Sequence, residues 1–136
     1  MEPIIRTAAP DDHSFLREHD HHIAPEELNE SIRRGRILML CVQGETVGWL
    51  RWNLFWDNTP FMNLLFVLDG HRGQGYGRAL VCHWEDQMGA AGYAQVLTST
   101  QADECAQHFY RRLGYRDIGG FVLDGTPMEL LFAHAL

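Results

Sequence analysis

A single domain of the α/β or α+β class, spanning residues 1–136, is the fold that this sequence predicts, and three observations carry the prediction. Strand-like segments alternate with helical ones along the whole chain, with no linker, internal repeat or low-complexity tract to divide it. A length of 136 residues with 46% apolar side chains is enough for one packed core. A glycine-rich turn, Arg72 to Arg78, separates an apolar run from a helical pattern, as expected where a buried strand hands over to a covering helix.

The elements follow in order. Pro3 to Thr7 reads as a strand, and a helix is expected from about Asp11, whose first-turn carboxylates suit the helix dipole. In the next helix Pro25 fits the first turn, Leu28 and Ile32 share a face, Glu30 and Arg34 pair at i,i+4, and Gly35 is the stop. Arg36 to Val42 is a strand, and Gln43-Gly44-Glu45 turns the chain into a long one. There Leu50, Trp52, Leu54 and Trp56 point one way and Trp49, Arg51, Asn53 and Phe55 the other. Asp57-Asn58-Thr59-Pro60 is a turn.

Phe61 to Leu68 is apolar on both faces apart from Asn63, the pattern of a central strand covered by helices on each side. The helix after the glycine turn, Arg78 to Ala91, presents Tyr76, Leu80, Trp84 and Met88 as a buried stripe. Ala94 to Thr98 is a strand. A helix from near Asp103 buries Cys105, Phe109 and Leu113 and ends at Gly114, and two late strands cover Tyr115 to Leu123 and Pro127 to Ala133.

The glycine turn is suited to phosphate. Three glycines in the five residues Gly73 to Gly77 let the backbone approach a ligand, and the N–H groups opening the next helix lack partners within it. Those groups and the helix dipole favour an anion. A P-loop would need Gly-Lys-Ser/Thr, and no lysine is present; a dinucleotide fingerprint would need glycine where Arg78 stands. What remains is Arg-x-x-Gly-x-Gly, filled by Arg72, Gly75 and Gly77.

That spacing resembles the pyrophosphate loop of the GCN5-related N-acetyltransferase (GNAT) family. Leu65-Phe66-Val67 lies upstream, where the family carries the strand that pairs with the pantetheine arm of CoA. Downstream, the segment Asp103 to Tyr115 resembles the family's Asn-x-x-Ala-x-x-Leu-Tyr-x-x-x-Gly-Phe element. The resemblance is specific from Phe61 to Tyr115. It implies the acyl-CoA N-acyltransferase fold, with a mixed central sheet of about six to seven strands flanked by about four helices, and acetyl transfer from acetyl-CoA to a primary amine of a small molecule or peptide by direct attack in a ternary complex, without a metal.

Carried across residue by residue, the resemblance assigns the pyrophosphate to the backbone of Arg72, Gly73, Gln74, Gly75, Tyr76, Gly77 and Arg78. It assigns pantetheine to Leu65, Phe66 and Val67, one of whose N–H groups polarises the thioester carbonyl. Tyr110 falls where a phenol contacts CoA and protonates its leaving thiolate; an ordinary pKa near 10 keeps the proton available. Its alternative is only to pack beside Ala106 or to bond to CoA. Asp103 stands where the family has Asn; a carboxylate accepts but does not donate as an amide does, and its alternative is to cap its own helix.

A base is harder to place. Presenting a lysine-like amine in neutral form at pH 7 costs roughly 4 kcal/mol, and the strand positions where family members carry Glu or Asp hold Asn63 and Leu64. Asp57, Glu104 and His108 are the remaining candidates. Glu18-His19-Asp20-His21-His22 offers metal-binding side chains, but neighbours on one helix point apart, so the cluster reads first as a solvated helix end and second as an acceptor contact. The aromatic strand from Trp49 to Trp56 reads as core on one face, with the other, carrying Arg51 and Asn53, free to shape an acceptor site or a homodimer contact.

Net charge of −7 argues against a nucleic-acid surface and is compatible with a cationic acceptor. Cys41, Cys82 and Cys105 form no Cys-x-x-Cys pair and read as reduced core residues. With no secretory leader pattern and no 18-residue apolar run, the expectation is a cytoplasmic protein away from membranes. The absent strand carboxylate and Asp103 also fit a rival, a non-catalytic acyl-CoA-binding regulatory module of the same fold; an acyl-CoA hydrolase would need a water-activating base that the sequence does not reveal.

Overall fold

The computed structural model describes residues 2–136. Its elements are β1 (Ile4–Thr7), a 3-10 turn (Pro10–Asp12), α1 (His13–His19), α2 (Pro25–Arg33), β2 (Ile37–Val42), β3 (Glu45–Phe55), β4 (Thr59–Val67), α3 (Tyr76–Ala90), β5 (Gln95–Gln101), α4 (Ala106–Arg112), β6 (Arg116–Phe121) and β7 (Glu129–Ala135). Seven strands hydrogen-bond in the order β1-β2-β3-β4-β5-β7-β6, the mixed sheet with four helices that the sequence predicts.

The chain divides into two compact units. The first comprises the residues up to Asn53 together with Leu64–Trp84. Here β1 and β3 flank β2, both antiparallel to it. Buried Leu16, Leu28, Ile32, Ile37, Met39 and Trp49 form one core, against which Phe66 and Leu68 pack. Trp49 stacks on Phe66 with centroids 5.1 Å apart. Alternation along β3 sends Trp52 elsewhere, toward Trp84 at 6.5 Å. Gly48 faces β4 closely: an added Cβ would lie 3.0 Å from the Phe66 carbonyl. As expected, Leu80, Trp84 and Met88 of α3 are buried; Tyr76 is half-buried.

The second unit comprises Leu54–Asn63 and Glu85–Leu136. Its β5 pairs in parallel with β4 at Phe61↔Leu97 and Met62↔Thr98, and antiparallel with β7 from Gln95↔Ala135 to Gln101↔Glu129. β6 adds to β7 with an irregularity between Asp117 and Gly119. Tyr110 of α4 packs toward Phe132, and Arg111 clamps Asp117 through two hydrogen bonds of 3.0 and 2.8 Å.

Several expectations are corrected. Trp56 leaves the β3 alternation for the turn that starts there, at φ 55° and 75% exposed, while Thr59 and Pro60 already belong to β4. Cys105 is exposed, and Cys41 and Cys82 are only half-buried; none of the three is in a disulfide. Helix α4 starts at Ala106, so Cys105 occupies its N-cap and Asp103 sits in the preceding turn without capping it; its buried residue is Tyr110, with Phe109 and Leu113 only half-buried. At the other end of the chain, Asp12 does more than complement a dipole. It accepts the Ala9 N–H at 2.8 Å and both terminal nitrogens of Arg6, and Arg6 together with that N–H holds its carboxyl below the usual range.

The histidine cluster is the largest correction. His19 stacks on Phe15 at 4.1 Å, with its Nδ1 2.9 Å from the Phe15 carbonyl. Asp20, expected in solvent, is 4% exposed and accepts from Arg51 Nε at 2.8 Å, Arg51 Nη2 at 3.3 Å and Trp49 Nε1 at 3.3 Å. Arg51, expected to face an acceptor or a second protomer, is the buried partner of that carboxylate. Among the described residues no three His, Cys, Asp or Glu side chains converge as a metal set.

Candidate active site

The glycine turn emerges at the end of β4 and opens α3. Gly70, Gly73 and Gly75 adopt φ of 88°, 76° and 84°, left-handed conformations that favour glycine. Nothing lies within 4 Å of a Cβ built on Gly73 or Gly75, so the space over them is open to a ligand. The His71 N–H donates to Leu68 at 3.1 Å and the Ala79 N–H to Gly75 at 3.0 Å. Between them, the N–H groups of Tyr76, Gly77 and Arg78, which open α3, have no backbone acceptor among the described residues. A row of free N–H groups at the mouth of a 15-residue helix is an anion cradle in both geometry and dipole sense.

Arg72 has a different task from the one its charge suggests. Its Nε donates to the Val67 carbonyl at 2.9 Å, its guanidinium lies over the Phe66 ring at 5.3 Å, and an exposed Asp69 stands 3.5 Å away. The side chain ties the turn back to the end of β4. One consequence is that the Val67 carbonyl, expected to face pantetheine, already accepts a hydrogen bond. Leu65, Phe66 and Val67 are half-buried, Tyr76 Oη donates to Gln74 Oε1 at 3.2 Å, and Arg78 is exposed.

Tyr110 belongs to the second unit and is 6% exposed. Burial raises its pKa to about 12; a hydrogen bond with Thr98 acts in the opposite direction and the Glu104 carboxylate adds to the rise. The phenol therefore holds its proton throughout the physiological range, as an acid requires. Thr98 is a partner that the sequence reading missed. It faces Tyr110 while its Oγ1 donates to the Met62 carbonyl at 3.0 Å, and nothing in the sequence set it apart from Ser99 and Thr100 beside it.

The candidate bases fare unequally. Glu104 accepts from the Gln101 N–H at 3.1 Å and Thr100 Oγ1 at 3.4 Å, which makes it the organiser of its turn. Asp57 occupies an exposed turn at φ 63°, and His108 is exposed on α4. Asn63 of β4 is exposed and carries no acid.

A mixed seven-stranded sheet in which β4 leads through a glycine turn into α3, with a buried phenol on α4, defines an acyltransferase class of fold. A model described as the acetyltransferase (GNAT) family matches residues 3–115, and the chain belongs to that family. Membership brings acetyl transfer as its general chemistry. Among solved structures, Ard1 from Thermoplasma volcanium superimposes with a TM-score of 0.85 at 15% identity, covering 100% of this chain and 99% of its own. A GNAT acetyltransferase from Bacillus cereus gives 0.81 at 20% identity, over 99% and 98%. The ribosomal-protein-S18-alanine N-acetyltransferase of Escherichia coli gives 0.81 at 18% identity, over 98% and 94%. No curated protein sequence matches significantly. No helix among the described residues is long and apolar enough to cross a membrane.

Proposed function

We propose that this chain is an acetyl-CoA-dependent N-acetyltransferase acting on a primary amine by direct attack in a ternary complex. The observation that carries the reading is the set of unpartnered N–H groups at the start of α3, Tyr76 to Arg78, beside the open space above Gly73 and Gly75. These groups hold the pyrophosphate of CoA, with Arg72 keeping the turn in register through the Val67 carbonyl. Leu65, Phe66 and Val67 supply the strand backbone for the pantetheine arm, and Asp103, lacking a donor, adds at most an acceptor.

Acetyl-CoA supplies an activated thioester. The neutral amine forms a C–N bond to the acetyl carbon, the C–S bond breaks, the amine nitrogen loses a proton to solvent, and the Tyr110 phenol protonates the departing thiolate. A backbone N–H at Leu65 or Val67 stabilises the oxyanion. The Escherichia coli relative acts on an alanine, so peptide amino termini belong in an acceptor panel beside small amines.

The test is calorimetric titration of acetyl-CoA and CoA into wild type and a Gly75→Glu, Gly77→Glu double variant, followed by thiol release with the amine panel. Micromolar binding lost in the variant, with turnover of at least one amine, is the expected result. A folded wild type that binds neither ligand overturns the proposal, and binding without turnover of any amine leaves the regulatory module instead.

A further inference from the structure

The sheet order ends at β6, whose outer edge has no strand beside it among the described residues, and every residue from Arg116 to Phe121 is exposed. Proteins normally blunt such an edge with charge, proline or a bulge. Here Arg116, Asp117 and the irregularity between Asp117 and Gly119 do so at one end only. From Ile118 to Met128 the sole ionisable side chain is Asp124, in a chain that is 21% charged. Val122 and Leu123 follow β6 without a ladder partner on β7.

That uncharged stretch is also where apolar surface gathers. Of the eight large apolar side chains exposed among the described residues, six lie here: Trp56, Ile118, Phe121, Val122, Leu123 and Met128. They form one patch. Trp56, Ile118 and Phe121 line the same hollow, Val122 and Leu123 continue from Phe121, and Met128 lies against Gly120, 3.2 Å from where a Cβ would stand. With about 150–250 Å² for an aromatic side chain and somewhat less for an aliphatic one, six that are roughly half-exposed present on the order of 600 Å². That is the upper end of the largest patch on a typical monomer, about 300–600 Å², and most of the ~800 Å² that each partner gives to a stable interface.

The edge is complementary to itself when reversed. A second β6 laid antiparallel about Gly120 sets Gly119 against Phe121 and Ile118 against Val122, and brings Arg116 of each copy to Asp124 of the other. An aromatic ring opposite glycine covers the space that glycine leaves, two β-branched side chains make a favourable cross-strand pair, and the charges at the ends are opposite in sign. The remaining charge on the edge, Asp117, is already held by Arg111 of its own chain. A chain of net charge −7 repels its copy overall, so a neutral strip with balanced ends is the surface on which two copies can meet.

We propose that this edge is the interface of a homodimer: two copies pair their β6 strands antiparallel about Gly120, continue the sheet from one chain into the other and cover the apolar patch. The alternative contact expected on the Arg51 face of β3 lacks that guanidinium, which Asp20 occupies.

Sedimentation equilibrium of the full chain tests this on wild type, Val122→Lys, Arg116→Asp and the exchange variant Arg116→Asp, Asp124→Arg. Val122 is 87% exposed and Arg116 and Asp124 are exposed, so the variants should fold; circular dichroism checks this. Wild type should sediment at about twice the 15.6 kDa of one chain at micromolar concentration. Val122→Lys sets an ammonium against Ile118 at two equivalent places and should raise the dimer dissociation constant at least about tenfold. Arg116→Asp puts like charges at both ends and should weaken the dimer by about tenfold as well. The exchange variant should return it to near wild type, a recovery that a merely damaged chain would not show. A wild type that stays monomeric well above micromolar concentration overturns the proposal and leaves the patch to a different partner. A dimer that both single variants leave intact overturns it by placing the contact elsewhere, and a loss in Arg116→Asp that the exchange does not recover overturns the pairing about Gly120. None of these outcomes depends on acetyl transfer, so the two proposals fail separately.

Discussion

Removing the charge of Asp20 should destabilise the protein more than any other isosteric substitution in the α1–β3 region. Asp20 and Arg51 are both buried, and the carboxylate also takes the Trp49 indole N–H and the His22 N–H at 3.2 Å. Asp20→Asn conserves shape but leaves a guanidinium in the core without a counter-charge, and breaking a buried pair on one side costs about 3–5 kcal/mol. For 136 residues the unfolding entropy is about 0.3 kcal/mol per kelvin, so that cost corresponds to a fall in Tm of about 10–17 °C. Urea and thermal melts would read it directly. Arg51→Met in the Asp20→Asn background removes the stranded charge and should recover most of the loss, because apolar replacements of buried pairs are often close to neutral. A single variant within about 1 kcal/mol of wild type, or additive single losses, would refute the reasoning and return Asp20 to the solvated surface.

Three other predictions follow from the geometry. Gly48→Ala places a Cβ 3.0 Å from the Phe66 carbonyl and should cost about 1–3 kcal/mol in a denaturant melt, since neither strand backbone yields easily. Arg72→Ala removes the tie to Val67 and should weaken CoA binding several-fold by loosening the turn, with stability changed by less than about 1 kcal/mol, as calorimetry and melts together would show. Tyr110→Phe should lower kcat while leaving CoA affinity intact. The same variant tests the alkaline limb: because the folded pKa of about 12 lies above the unfolded value of 10.0, the neutral phenol contributes about 3 kcal/mol. That contribution is fully present below pH 10 and lost as pH rises toward 12, so stability should fall across that window in wild type and less steeply in Tyr110→Phe.

Local rules were enough for the elements and for the glycine turn. Pro25 and Gly35 bracket α2 because one fixes φ for a helical start and the other adopts φ of 69° for the stop. Gly73 and Gly75 take left-handed conformations and leave the following N–H groups free, a property of the turn and the helix start that no distant residue has to supply. The position of Tyr110 was equally legible, as a spacing on a short helix. Partners were not. Asp20 looked solvated because its neighbours in sequence are histidines and an acid; it is buried because β3 brings Arg51 and Trp49, more than two dozen residues away, to its carboxylate. Trp56 looked like a strand residue because alternation has no means of registering that the backbone turns at φ 55°. The pairing of Ser99 with Glu129 depends on the β5–β7 register, and register is set by which residues meet across strands distant in sequence. The sequence by itself thus determined the family, the elements and the glycine turn, whose physics is confined to a few consecutive residues. The buried ion pair, the tie made by Arg72 and the apolar patch around the β6 edge were decided only in the tertiary structure, because each joins groups whose distance and burial exist only once the sheet has formed.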